Sequence, residues 1–240
     1  MLAGITRVKN ESLILEDTLK HYLKIVDHVY LYDDFSDDDT AKIAMSFDRV
    51  TVTCGAEWRK DRAAEETRHR RLMLSQARRS GHEWALCFDA DERLVGDMPA
   101  MDAASPSGYR FKLFDGYMTE KCQAEYQQGK LELLPRMWGP ERRDIIMLFR
   151  IADSQYMGMD QREPVVQGLV DTTSVFVRHY GKCISIEQWE ATCDYYSKWP
   201  KYAAKWEARK GGAIHATSDF DRELFDWDEL LTNPERQVRI

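Results

Sequence analysis

Short apolar runs alternate with amphipathic stretches along the first third of the chain, and this rhythm sets the expected elements. Residues 2–6 read as a strand, and Leu15, Leu19, Tyr22 and Leu23 recur at helical spacing over 11–24. Residues 26–32 form a second apolar run, 40–47 a short helix and 50–54 a third strand. A charged helix over 61–80 carries Leu72, Leu74 and Ala77, and a fourth strand follows at 84–88. Strand and helix in alternation imply a parallel sheet with helices on both faces. Such sheets bind ligands beyond the carboxyl ends of their strands, so the residues after each apolar run are where chemistry is sought.

The second half is less regular. Strands are expected over 109–114, 145–151 and 174–180, with a loop around 133–140, where Pro135, Gly139 and Pro140 cluster. Residues 186–210 read as helical with a break near Pro200, and are rich in tryptophan and tyrosine. The acidic tail after Gly211-Gly212 is expected to be loosely ordered.

Composition narrows the classes. The chain has 240 residues, 43% of them apolar, enough for a sizeable core. A net charge of −7 argues against a general nucleic-acid binder. No run reaches the length of a membrane span, and the first residues lack a signal-peptide core. The expectation is a soluble protein of the cytoplasm that could still touch a membrane surface through a local patch. Five cysteines without CxxC spacing make a zinc site or disulfide framework unexpected.

Asp89 and Asp91 carry the sharpest chemical signal, because an apolar strand runs directly into two carboxylates spaced i, i+2. Close anions raise each other's pKa unless a cation lies between them. Mg²⁺ or Mn²⁺ sharing its shell with substrate phosphates is the usual solution. Asp33 and Asp34 close the second strand, where a carboxylate can accept the imide N–H of uracil or thymine. Asp37, Asp38 and Asp39 read instead as anions at the start of the next helix. On the helix over 61–80, the pairs Glu65–His69 and Glu66–Arg70 suggest a solvated, salt-bridged face, with Arg68 the arginine that could turn to a nucleotide. Glu163 and Asp160 are candidate general bases, and His179 ends an apolar strand as a candidate metal or phosphate ligand.

These residues together resemble the family 2 glycosyltransferases of the GT-A fold, in the branch of small lipopolysaccharide-core sugar transferases. Four segments carry the likeness: Arg7-Val8-Lys9-Asn10-Glu11; Asp33 to Thr40; Asp89-Ala90-Asp91-Glu92; and Arg162-Glu163-Pro164 followed by His179-Tyr180-Gly181. The resemblance implies a mixed, mainly parallel Rossmann-like sheet flanked by helices, with a C-terminal helical segment. It implies a catalytic domain over 1–182, divided into a donor-binding half, 1–95, and an acceptor-side half, 96–182, and then an extension over 183–240. The implied reaction is metal-dependent, inverting transfer from a nucleotide-diphosphate sugar, foremost a UDP-sugar, to a glycan or glycolipid. Asp34 would hold the base, Arg7 and Arg68 would line the nucleotide pocket, and Asp89 would meet the ribose or the metal shell. Asp91, with Asp89 and His179, would hold Mn²⁺ or Mg²⁺, and Glu163 would be the base. The chain departs from the family at Arg162, where histidine is usual, and at Phe35, where glycine is usual. A sugar nucleotidyltransferase and a non-catalytic nucleotide-binding module are the alternatives. Arg7-Val8-Lys9-Asn10-Glu11 lacks the glycine-rich loop of the former, and no GxGxxG supports an oxidoreductase.

Overall fold

The computed structural model describes residues 1–55, 62–159 and 161–240, which fall into two compact units. Unit 1 comprises 1–92, 96–112 and 144–175; unit 2 comprises 93–95, 113–143 and 176–240. The elements in chain order begin with β1 (Leu2–Val8), α1 (Leu15–Tyr22), β2 (His28–Asp33), α2 (Thr40–Met45), β3 (Val50–Cys54), α3 (Arg62–Arg79) and β4 (Trp84–Cys87). There follow β5 (Glu92–Val95), β6 (Gly108–Tyr117), β7 (Met137–Arg150), β8 (Ser154–Gln155), β9 (Val165–Val166) and β10 (Val170–His179). The chain ends with α4 (Ile186–Ser197), α5 (Ala203–Glu207), α6 (Trp227–Thr232) and β11 (Val238–Arg239).

Unit 1 is built on the strand order β3-β2-β1-β4-β7. The first four strands are mutually parallel, and β7 joins β4 antiparallel with Ala85 opposite Phe149. This is the mixed, mainly parallel Rossmann-like sheet expected from the sequence. Alternate residues of each strand point to opposite faces, and both faces are covered. On one, Ala3, Ile5, Tyr30, Tyr32, Ala85 and Cys87 pack against Met73, Leu74 and Ala77 of α3. On the other, Tyr22 of α1 stacks on Phe88 at 3.6 Å between ring centroids. Gly4 lies on that second face, where a Cβ would come within 3.0 Å of the Phe88 ring and 3.1 Å of Val29, so a side chain there would force the layers apart.

In unit 2 the long strand β7 corrects the expected loop around 133–140. It runs unbroken from Met137 through Gly139 and Pro140. Pro140 offers no N–H to a ladder, but Trp138 exchanges backbone bonds of 2.8 and 3.0 Å with Phe225, and Val238 lies opposite Glu141. The expected loose tail is likewise corrected. Leu224, Phe225, Trp227 and Leu230 are buried, so the acidic composition there hides an apolar anchor. The helical stretch over 186–210 does break near Pro200, into α4 and α5, with Ser185 capping α4 by accepting the Gln188 N–H at 3.1 Å. Strands β6, β7 and β10 each contribute residues to both units.

Candidate functional site

The period-two alternation of the strands decides which strand-end residues meet α3. Ala3, Ile5 and then Arg7 point to the α3 side of unit 1, as do Tyr30, Tyr32 and then Asp34 just beyond β2. Arg7 Nη2 accordingly meets Asp34 Oδ2 at 2.5 Å, with both side chains largely buried. Arg7 Nε donates to His69 Nδ1 at 3.2 Å, and His69 Nε2 lies 3.1 Å from Glu65 Oε2 and 2.9 Å from Arg68 Nη2. Glu65 Oε2 also accepts from Arg68 Nη2 at 2.5 Å, and Tyr32 stacks on the His69 ring at 3.5 Å. Burial, and then the neighbouring Arg7 charge, push the His69 pKa down to about 4, so the ring is neutral near pH 7. Arg7, Asp34 and Arg68, three of the expected nucleotide-binding residues, are thus held in one network.

Asp33 has a different task. Its side chain lies on the opposite face and accepts from the hydroxyl and N–H of Ser36 at 2.5 and 3.3 Å, closing the turn after β2. Within that turn Phe35 has φ +59°, the left-handed conformation that a glycine adopts without strain. The turn thus has, at Phe35, the geometry for which a glycine is the ordinary choice. Lys9 Nζ donates to the carbonyls of Asp34 and Phe35 at 3.0 and 2.8 Å, and the Asn10 side chain accepts the Asp37 N–H at 3.0 Å. The ends of β1 and β2 are therefore laced together. Asp38 bonds the Thr40 and Ser12 N–H groups, as a helix-start anion should.

A second ionic cluster closes β4. Asp89 Oδ1 accepts from Arg70 Nη2 at 3.1 Å, and Oδ2 accepts from Arg162 Nη1. Arg162 Nη2 also reaches both oxygens of Glu92 at 2.7 Å, and Glu92 accepts the Asp89 N–H at 2.9 Å. Arg70 and Glu92 are fully enclosed. Arg162 arrives on the segment between β8 and β9, which is fastened to α3 by Gln161 N–H to Thr67 Oγ1 and by Arg71 Nε to the Tyr156 carbonyl, each at 3.0 Å. The expected solvated face of α3 is corrected by burial: Glu65, His69 and Arg70 are 9%, 1% and 2% exposed. The signal that could have found them is the continuation of the Leu74–Ala77 core face one turn earlier on α3.

Among the described residues the expected divalent ion finds no matching donor set. Both Asp89 oxygens are held by guanidinium groups, and Asp91 is only partly buried. His179 belongs to unit 2, where its Nδ1 lies 2.5 Å from Asp115 Oδ1. Among the described residues no group of three or more His, Cys, Asp or Glu side chains stands where it could hold a metal ion. Around Asp115, burial would raise the carboxyl, but Lys182 at 2.9 Å, His179 and Arg143 at 2.6 Å hold it well below the usual carboxylate range.

Glu163 lies in unit 1 with Oε2 anchored by Arg110 Nη1 at 3.1 Å and by the Ile146 N–H at 2.7 Å. Asp160, the other candidate base, lies outside the described residues.

No family model matches the chain, and no curated protein matches it. Similar solved structures include mannosyl-3-phosphoglycerate synthase from Rubrobacter xylanophilus, at 14% identity and TM-score 0.31, covering 52% of this chain and 43% of that one. The 4-diphosphocytidyl-2C-methyl-D-erythritol synthase of Anaerococcus prevotii is 10% identical with TM-score 0.35, covering 75% and 89%. Mannose-1-phosphate geranyltransferase from Thermus thermophilus is 13% identical with TM-score 0.32, covering 93% and 72%. The chain spans less than half of the first of these proteins. At such scores the fold assignment rests on the strand order itself.

Proposed function

We propose that the protein is a transferase that takes a sugar from a nucleotide-diphosphate donor, foremost a UDP-sugar, and passes it to a hydroxyl of a glycan or glycolipid with inversion. The observation that supports this most is the buried Arg7–Asp34–His69 network at the carboxyl ends of β1 and β2, the place where parallel sheets bind nucleotides. Asp34 accepts the imide N–H of the base. Arg7 and the neutral His69 hold its carboxylate in position, and Arg68 borders the same pocket. Asp89 takes the ribose side, and its partner Arg162, partly exposed, is the cation placed toward the diphosphate. The acceptor oxygen attacks the anomeric carbon, the bond to the diphosphate breaks, and the nucleoside diphosphate leaves with the electron pair. Glu163, steadied through Oε2, takes the acceptor proton. Proton transfer of this kind contributes roughly 10²–10⁴-fold, so positioning carries much of the remainder. Among the described residues both Asp89 oxygens are already held by Arg70 and Arg162, so these steps rest on the chain's own side chains.

Product analysis tests the reading. Incubation with a UDP-sugar and an acceptor should release UDP in an acceptor-dependent way. Pyrophosphate release from a nucleoside triphosphate and a sugar phosphate would make the protein a nucleotidyltransferase instead. Tight UDP binding with no turnover of any donor would make it a binding module.

A further inference from the structure

Unit 2 holds a cluster of charged side chains that the proposed reaction does not use. Strand alternation puts Asp115 and Tyr117 on one face of β6. Arg143 of β7, His179 at the end of β10 and Lys182 just beyond it converge on the Asp115 carboxylate. Arg143 Nη2 and His179 Nδ1 lie 2.6 and 2.5 Å from Oδ1, and Lys182 Nζ lies 2.9 Å from Oδ2. Lys182 reaches on to Asp219 at 2.9 Å and to the Tyr117 hydroxyl at 3.3 Å, and Arg209 Nη2 meets Asp219 at 2.8 Å. Burial would raise the Asp219 carboxyl, but Lys182 and Arg209 hold it below the usual range, as the cations around Asp115 do for that residue, so both acids are ionised. Two carboxylates thus face three fixed cations. One positive charge is in excess before His179 is counted, in a protein of net charge −7. The cations differ in what they have left to give. Lys182, 12% exposed, already serves three partners, and Arg209 is engaged by Asp219. Arg143, 43% exposed, gives Asp115 one N–H of its fork, and its other donors meet no acceptor among the described residues.

We propose that this cluster is a binding site for a phosphoryl group, with Arg143 as the side chain that grips it. The planar guanidinium presents its donors in a rigid fork that matches phosphate oxygens two at a time, and one edge of the fork is already fixed by Asp115. Lys182 and Arg209 keep their own partners in this arrangement. Their part is to offset the charges of Asp115 and Asp219, which leaves the Arg143 charge uncancelled at the surface. A network serving only to tie β6 to β7 and β10 would balance acid with base, whereas here one carboxylate is shared among three nitrogen donors. Because Asp115 is itself held by Lys182 and His179, Arg143 is steadied before a ligand arrives, and the ordering cost of binding is cut. The inference goes beyond the proposed transfer reaction and does not depend on it.

The test is isothermal titration of inorganic phosphate, glycerol 1-phosphate and acetate into the full chain at fixed ionic strength, for wild type, Arg143→Gln and Arg143→Lys. Wild type should bind both phosphates, and added salt should weaken the binding. Arg143→Gln, its fold checked by circular dichroism, should bind them about 10- to 100-fold more weakly, as befits a lost charge-assisted hydrogen bond. Arg143→Lys keeps the charge without the fork and should lose less. Co-sedimentation with phosphatidylcholine vesicles, with and without phosphatidic acid, separates the two sources of such a group. Titration by glycerol 1-phosphate without vesicle binding supports a soluble phosphate ester, and vesicle binding that Arg143→Gln weakens supports a lipid headgroup. Failure of wild type to bind either phosphate would overturn the proposal, as would equal affinity in Arg143→Gln. Acetate bound as tightly as phosphate would overturn the phosphoryl assignment.

Discussion

Phe35 and His69 show how much single residues carry here. A non-glycine residue at φ +59° costs roughly 1–2 kcal/mol, so Phe35→Gly should raise the stability of unit 1 by about 1 kcal/mol in denaturant titration, and Phe35→Asn by somewhat less. A drop in stability for Phe35→Gly would mean that its exposed ring is doing unseen packing. His69 makes a pH prediction with a definite sign. Its pKa is depressed from 6.5 to about 4 in the folded protein, so as pH falls below 6.5 the unfolded chain takes up a proton that the folded one refuses. Stability should therefore decline between pH 6.5 and pH 4, by up to about 3 kcal/mol from this residue. His69→Gln should flatten that part of the profile measured by urea unfolding at successive pH values, and an unchanged slope would remove His69 as its source. Both residues were only partly legible in the sequence: the turn could be seen at Asp33-Asp34-Phe35-Ser36, but the burial of His69 could not.

At the scale of elements, α3 is the part whose sequence misleads. Its arginines and glutamates have the i, i+4 spacing of a solvated helix, and pattern alone cannot tell a solvated pair from one pressed against a sheet. The structure encloses Arg70 and pairs it with Asp89, while Arg162 crosses from the β8–β9 segment to Asp89 and Glu92. Removing one partner of a buried ion pair typically costs about 3–5 kcal/mol, because a charge is left uncompensated. Arg162→Ala should therefore destabilise unit 1 by several kcal/mol in chemical denaturation, with Arg162→Lys losing less. A change under about 1 kcal/mol would mean that the pair is solvent-screened. Strands β1, β2, β3 and β4 were readable from their apolar runs, because both faces of a parallel strand are buried and the signal is strong. Strand β7 was not, because Gly139 and Pro140 suggest a turn, and it is pairing with distant residues such as Phe225 that extends the strand through them.

For the whole molecule, the sequence revealed the alternation that builds unit 1 but not the assembly of unit 2 from three separate pieces of chain. Its acidic tail looks disposable by composition, yet Leu230 is fully enclosed. Leu230→Ala should cost about 2–5 kcal/mol as a core truncation, and a thermal melt unchanged by it would show that the tail does not anchor unit 2. The candidate site was legible at Arg7, Asp34 and Asp89, because strand ends of parallel sheets are privileged positions. It was not legible at Arg162 or Glu92, whose partners are set by a connection far along the chain.

Asp34, held by Arg7, is the proposed receptor for the base of a nucleotide. Isothermal titration of UDP into wild type and Asp34→Asn tests it most directly, since the variant keeps the side-chain shape and removes the acceptor charge. Loss of a charge-assisted hydrogen bond should weaken UDP binding by about 10- to 100-fold, with the variant still folded by circular dichroism. Equal affinity in the two proteins, or no binding of any nucleoside diphosphate to wild type, would contradict the account.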